Sequence, residues 1–392
     1  MPEKMHISIL KHSHLLDKAG VFIYNNYNIF FGDNNHMERI SILQKELTKQ
    51  AAILLYGSAA RYYFSATMAD DALMLITKQN AYYFTDSRYV EAVQKQASGY
   101  QVLTPKNRTE EIIGILKKDG AKTVYCDISE IDALLFFSLQ KSFKQSEITI
   151  STKDKFDKLI KLQRSVKLEY EIEKIKLAQK MTELTLDYIL PRISVGRSER
   201  EIALEMEFFA RKLGSEGVAF DFIVASGENS SMPHAVPSDR KFKNGDFITM
   251  DFGCVAEGYR SDMTRTVALG AVSDKQKLVY DTVLCAGNSA TAEIEAGKRC
   301  CDIDLIARNI IKNAGFGDNF GHALGHGVGI DIHEAPTLSP KNEQTLQAGN
   351  IVTVEPGIYL EGEFGVRIED MILVTDTGFV NLTNCSRELI IL

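Results

Sequence analysis

The stretch FITMDFGCVAEGYRSDMTRTVALG, residues 247–270, holds two apolar, strand-like runs around a Gly-containing turn, and the aspartates Asp251 and Asp262 lie eleven residues apart within it. Apolar runs of this length bounded by turn residues read as a β-hairpin, and a hairpin would set the two carboxylates side by side. A second pair repeats the pattern. Glu355 in IVTVEPGIYL and Glu369 in FGVRIEDMILV lie fourteen residues apart around the Gly-rich turn EGEFG. Four carboxylates are therefore expected inside apolar strands. Burying an unpaired carboxylate costs several kcal/mol, so such groups pair with cations or bind metal. Arg260, Arg265 and Arg367 are the cations at hand.

The histidines favour metal. Of the eight in the chain, His6, His12, His14 and His36 fall in the first 36 residues, which leaves His234, His322, His326 and His333. The last three share the stretch GHALGHGVGIDIHEAP, residues 321–336. One neutral imidazole with four hard carboxylates suits a pair of divalent ions, Mn²⁺, Co²⁺ or Fe²⁺, better than a structural Zn²⁺ site built from thiolates. Two such ions held roughly 3.5–4 Å apart, with a hydroxide between them, perform hydrolysis. Spacing alone leaves open which histidine coordinates. The glycines around them match neither a phosphate-binding loop nor a dinucleotide fingerprint. No G-x-S-x-G elbow is present, and nothing marks a cysteine as nucleophile.

Composition excludes other classes. A net charge of −7 offers no basic excess to neutralise phosphates, so nucleic acid and anionic membrane surfaces are not expected partners. No run of about 18 apolar residues is present to span a bilayer. The segment AGVFIYNNYNIFFG is interrupted by Asn25, Asn26 and Asn28 and makes a poor signal peptide. Cys126, Cys254, Cys285, Cys300, Cys301 and Cys385 show no CxxC spacing and read as reduced thiols, which points to the cytoplasm.

At 392 residues the chain is long enough for two domains. Residues 1–36 differ in composition from the rest and read either as an ordered extension or as lying ahead of a functional chain that starts near Met37. Between residues 50 and 145, β-type runs (AAILLYG, DALMLIT, AYYFT, KTVYCD) alternate with helical patterns, which predicts an α/β domain over 37–160. The Lys-rich stretch from Lys144 to Lys161 carries no strong periodicity and places the boundary. Beyond it, helices are predicted over Leu168–Leu190, Glu199–Leu213, 274–296 and 302–314, interleaved with hairpins, so 161–392 is expected to be α+β.

Taken in order, MDFGCVAEGYRSDMTRT, GHALGHGVGIDIHEAP, VTVEPGIY and GVRIED resemble the pita-bread metallopeptidases, the family of aminopeptidase P, prolidase, methionine aminopeptidase and creatinase. The likeness covers roughly residues 165–392. The preceding region resembles the N-terminal α/β domain of the proline-specific and creatinase branches. The resemblance implies that Asp251, Asp262, His326, Glu355 and Glu369 bind two divalent ions, Mn²⁺ first, with Co²⁺, Fe²⁺ or Zn²⁺ as alternatives, and that Asp262 and Glu369 bridge them.

It also assigns roles to the neighbours. Glu355 would double as proton shuttle, His234 would face the scissile amide, and His333 would hydrogen-bond the substrate carbonyl or the oxyanion. His322 would contact substrate, and Arg367 would pair a ligand carboxylate from behind. Tyr259 is expected to pack or cap, and Arg265 to partner a carboxylate structurally. An N-terminal domain of this size together with His322 argues against a methionine aminopeptidase, and the intact ligand set argues against a creatinase.

Within the proline-directed branch, the expected activity is release of the N-terminal residue before proline by a metal-bridging hydroxide (Xaa-Pro aminopeptidase). Xaa-Pro dipeptidase, or prolidase, is the alternative, and a metal-free binding module on the same fold is a remote one. Short peptides with a penultimate proline are the expected substrates. The resemblance implies a homodimer, built partly through the N-terminal domains, as the default assembly.

Overall fold

The computed structural model describes residues 34–392. The extension expected over residues 1–36 lies, as far as residue 33, outside the described residues.

The first part is a mixed six-stranded sheet. Its strands are β1 (Ala51–Leu55), β2 (Leu73–Thr77), β3 (Ala81–Phe84), β4 (Gln101–Leu103), β5 (Thr123–Cys126) and β6 (Thr149–Ser151), in the order β4-β3-β2-β1-β5-β6. Strands β1 and β2 are buried at every position, which explains why AAILL and LMLIT read as continuous apolar runs. One face packs Leu54, Leu75 and Phe84 against the helices α4 (Arg108–Lys118) and α5 (Ala133–Gln145), introduced in the chain after α1 (Asn34–Glu46), α2 (Ser58–Ser65) and α3 (Val90–Gln96). The other face packs Ile53, Met74 and Tyr83 into a core shared with Ile175, Val328, Ile330 and Met371 of the second part. The two parts are thus joined by a common hydrophobic core.

The boundary stretch is more ordered than its composition suggests. Residues Lys155–Ser165 form helix α6, with Phe156 and Ile160 buried four positions apart on one face, and this helix spans the expected boundary at 160/161. Two apolar residues at helical spacing suffice when a neighbouring core receives them.

The second part carries helix pairs against two sheets. Helices α7 (Glu169–Ile189) and α8 (Glu199–Lys212) share a core with a sheet ordered β11-β8-β7, formed by β7 (Ile223–Ser226), β8 (Asp246–Phe252) and β11 (Met263–Leu269). The β8–β11 connection is a smaller ribbon, β9 (Val255–Ala256) and β10 (Tyr259–Arg260). Its turn residues Glu257 and Gly258 both have positive φ, the two-residue hairpin turn whose twist matches its strands. Helices α9 (Asp274–Ala292) and α10 (Cys300–Asn313) pack on a sheet ordered β13-β12-β14-β17-β18 and on a separate ribbon β15-β16. These strands are β12 (Gly325–Gly327), β13 (Glu334–Leu338), β14 (Ile351–Val354), β15 (Gly357–Leu360), β16 (Phe364–Arg367), β17 (Asp370–Thr375) and β18 (Gly378–Asn381). No helix among the described residues is long and apolar enough to cross a membrane.

Candidate metal centre

Two antiparallel ladders build the centre. In the first, Asp251 stands opposite Thr264 across β8 and β11, and Asp262, two residues before Thr264, follows on the same face. In the second, Val354 pairs with Asp370, and Glu355 and Glu369 each lie one position beyond that last pair. Here the sequence expectation needs correcting, because only Asp251 lies inside a strand. Asp262 immediately precedes β11, Glu355 sits in the break between β14 and β15, and Glu369 in the break between β16 and β17. Pro356 supplies no N–H to continue the ladder beyond Glu355. The amide of Glu369 bonds instead to the carbonyl of Thr264 at 3.1 Å, which fastens the second ladder to the first.

His326, on β12, completes the group. Its Nδ1–H donates to the carbonyl of Gly327 at 3.1 Å, which leaves Nε2 with a free lone pair aimed at the carboxylates. That Nε2 lies 3.3 Å from Glu355 Oε1 and 3.5 Å from Asp262 Oδ2. Donor atoms of Asp262, His326 and Glu369 all fall within 4.8 Å of one another. Burial and the neighbouring His333 push His326 down to about 4, so it is neutral at physiological pH.

Three oxygens remain unexplained by protein contacts. Asp251 Oδ1, Asp262 Oδ1 and Glu369 Oε1 are buried and have no hydrogen-bond partner among the described residues. Burial and mutual repulsion push the carboxyls of Asp262 and Glu369 well up, and burial and Asp251 push Glu355 up to about 8 against the pull of Arg367. Orphaned buried carboxylate oxygens beside a neutral imidazole are the donor set that divalent cations satisfy. The residues present fit such ions.

Among the three expected cations, only Arg367 pairs a carboxylate of this group. Its Nη2 donates to Asp251 Oδ2 at 2.6 Å, Nε to Thr264 Oγ1 at 3.1 Å and Nη1 to the Tyr359 hydroxyl at 2.8 Å. Arg265 points from the opposite face of β11 and pairs with Asp370 at 2.7 Å, while Arg260 donates to the carbonyl of Ala219. Tyr259 packs, with its hydroxyl on Glu171 at 2.6 Å.

A cavity of about 690 Å³ opens beside the carboxylates, and His234, His322 and His333 all line it. His333 sets its ring edge-on to His326 with centroids 4.3 Å apart. His322 is more restrained than the sequence suggests. Its Nδ1–H donates to the carbonyl of Ala323 at 2.8 Å, and its Nε2 accepts from the Tyr359 hydroxyl at 3.0 Å. Burial pushes it down to about 4.

The sequence reading passed over Thr264, Thr353 and Tyr359. Thr264 donates to Glu369 Oε2 at 2.7 Å, and Thr353 donates to Glu355 Oε1 at 3.2 Å while accepting the His326 amide at 3.0 Å. Both threonines lie two residues from a site carboxylate, so the two-residue period of a strand was the available signal.

Known proteins resemble this chain over most of its length. The model of metallopeptidase family M24 matches residues 173–376, and that of the Creatinase/Prolidase N-terminal domain matches residues 39–166. An Xaa-Pro dipeptidase of Pyrococcus furiosus is 36% identical over 331 residues, covering 84% of this chain and 92% of its own. Among solved structures, an Xaa-Pro dipeptidase from Bacillus anthracis superposes with a TM-score of 0.85 at 37% identity, covering 92% of this chain and all of its own (100%). An X-Pro aminopeptidase from Thermotoga maritima gives 0.82 at 34%, covering 89% and 100%.

Proposed function

We infer the reaction from the family: the chain belongs to metallopeptidase family M24, in the proline-specific branch of the pita-bread enzymes, and we propose that it is a metal-dependent Xaa-Pro dipeptidase. The observation that carries the metal-dependent part is the convergence of donor atoms of Asp262, His326 and Glu369, with buried oxygens of Asp251, Asp262 and Glu369 that have no hydrogen-bond partner among the described residues. The dipeptidase part leans on the relatives of P. furiosus and B. anthracis named for that activity. They favour it over the aminopeptidase expected from the sequence, which stays as the second reading because of the T. maritima relative.

In this reading Asp251, Asp262, His326, Glu355 and Glu369 would hold two divalent ions, Mn²⁺ or a similar hard cation. Bound there, the ions supply Lewis acidity that activates water and polarises the scissile carbonyl. The protein's own residues do the rest. Glu355 takes the proton released by the attacking water and delivers it toward the proline nitrogen, which must be protonated to leave. His333 donates to the carbonyl oxygen as charge builds on it, and His234 faces the amide. His322, pinned by Tyr359, forms a fixed wall of the substrate cavity, and Arg367 keeps Asp251 in place from behind.

The substrate follows from the imide. Proline lacks an N–H and restricts the residue before it, so peptidases that grip an extended backbone handle it poorly. Phe220, Phe222, Ile223 and Val236 give this cavity an apolar side suited to the ring. The reading also includes a homodimer, supported by the exposed Leu134 and Phe137 on α5, and a reducing compartment, supported by six unpaired cysteines.

The deciding assay offers metal-reconstituted protein an Xaa-Pro dipeptide and an Xaa-Pro-Xaa tripeptide side by side. Dipeptide cleavage that a chelator abolishes is the expected result. Tripeptide cleavage alone would move the assignment to the aminopeptidase, and a protein that binds no metal would leave a binding module.

A further inference from the structure

His333 stands on a loop held from both parts of the chain: within its own part the Arg260 amide donates to the carbonyl of Gly329 at 2.8 Å and the Val328 amide to that of Ile351 at 3.2 Å. The segment from Val328 to Ile332 packs Val328, Ile330 and Ile332 into the core shared with Ile40, Leu43 and Ile53 of the N-terminal part. Its polar anchor is Glu334, the residue that follows His333 and opens β13. The Glu334 side chain is only 5% exposed, yet it meets no cation from its own sheet. Both of its cations come from the connection between the two parts. Arg164, near the end of α6, donates from Nη2 to Glu334 Oε1 and, at 2.7 Å, to Asp331 Oδ2. Lys167, two residues beyond α6 and itself 1% exposed at the side chain, approaches Glu334 Oε2 at 3.2 Å. The amide of Asp331 closes the loop by donating to Glu334 Oε1 at 3.0 Å.

The connection is itself immobilised against the sheet that carries His326. The Lys167 amide donates to the carbonyl of Gly349 at 2.8 Å, Asn350 donates from its side chain to the carbonyl of Ser165 at 3.0 Å, and Val166 bridges to Asn350. Burial pushes the Glu334 carboxyl up, but Lys167 and Arg164 outweigh it and hold the group below its ordinary range. A buried carboxylate with two buried cations and a backbone amide has one geometry that satisfies all its bonds. The adjacent imidazole inherits that geometry.

We propose that Arg164, Lys167 and Glu334 form a clamp that aims His333 into the cavity, which makes the interdomain connection a positioning device for the reaction. The proposal rests on the role given to His333 above. Arg164 and Lys167 touch neither the metal ligands nor the cavity lining, so they act through Glu334 and the loop. The N-terminal part then contributes to the catalytic step itself, since its core fixes one side of the loop and its final helix supplies the cation.

The test combines kinetics with structure. In metal-loaded protein, Arg164→Gln is expected to lower kcat about 10- to 100-fold, the range a misaimed catalytic group produces, with KM changed less than about threefold and metal content at the wild-type level. Arg164→Lys should recover much of the rate. In a His333→Ala background, Arg164→Gln should cost less than about twofold more, because the group it positions is already gone. An equal fractional loss in both backgrounds would overturn the clamp, as would loss of metal or an unchanged kcat in Arg164→Gln. A crystal structure of Arg164→Gln supplies a readout independent of substrate: the His333 ring should depart from its 4.3 Å centroid separation from His326, while in Arg164→Lys it should stay close to it. An undisplaced ring in Arg164→Gln would overturn the clamp even if the wild type proved to cleave no Xaa-Pro substrate, an outcome that would count against the proposed function alone.

Discussion

Arg367 and Asp251, 116 positions apart in the chain, meet in a buried ion pair of 2.6 Å between Nη2 and Oδ2. The pair bears on the metal centre, since it neutralises one oxygen of Asp251 and leaves Oδ1 buried without a hydrogen-bond partner among the described residues. Removing one member of a buried pair costs about 3–5 kcal/mol, because the survivor stays charged and unpaired. Arg367→Met is therefore expected to lower the unfolding free energy of chelator-treated protein by that order, read as a lower urea midpoint. Added Mn²⁺ should recover part of the loss, because the ions replace the missing positive charge. Equal midpoints for wild type and variant without metal would show that Arg367 does not carry the pair.

The two neighbouring histidines should separate cleanly. His326→Ala removes a donor atom and is expected to lower bound metal from about two equivalents per chain, the dinuclear content proposed above. His333→Ala removes no donor and should keep the metal while kcat falls. Metal analysis of both variants after gel filtration checks this, and equal metal loss in the two would refute the sorting.

Without metal, stability should fall as pH rises. The Glu355 carboxyl moves from an ordinary 4.5 to about 8 in the folded chain, and Asp262 and Glu369 shift in the same direction. Over that window the folded state binds more protons than the unfolded one, so the slope of stability against pH is negative. The contribution is complete below about 4.5 and lost as pH passes about 8. Thermal melts of chelated protein between these values should show a declining Tm, and saturating metal should flatten or reverse the decline. A Tm of chelated protein that climbs with pH would contradict the burial of these groups as acids.

Thr264 holds two members of the centre at once, donating to Glu369 and accepting from Arg367. Thr264→Val keeps the volume and strands both partners. Supporting hydrogen bonds of this kind are worth about 10- to 100-fold in metal affinity, so calorimetric titration should find weaker binding by that factor. An unchanged affinity would mean that Glu369 is oriented by the backbone alone.

Much of the architecture was legible in one dimension. Helical spacing located Glu169–Ile189 and Glu199–Lys212 within a residue or two, and the apolar runs located β8, β11, β14 and β17. Other features were masked by local composition. The Lys-rich stretch hid helix α6 because two apolar residues, Phe156 and Ile160, are enough when a neighbouring core accepts them. The breaks at Glu355 and Glu369 were hidden because apolar residues flank them on both sides, so each strand pair read as one run.

What the sequence determined by itself was the set of chemical parts. The spacing of carboxylates on hairpins, one histidine-rich stretch and four ordered motifs are local properties, and strand period and turn chemistry express them without outside help. Only the tertiary structure decided the pairings. Arg367 and not Arg265 meets Asp251, because the two arginines, on neighbouring strands of different sheets, face opposite ways, one toward Thr264 Oγ1 and the other toward Asp370. Glu334 finds its cations 167 and 170 positions away, on a connection whose own sequence says nothing of the site. Ion pairs are set by distance and burial across packed elements, and those quantities exist only once the chain has closed on itself.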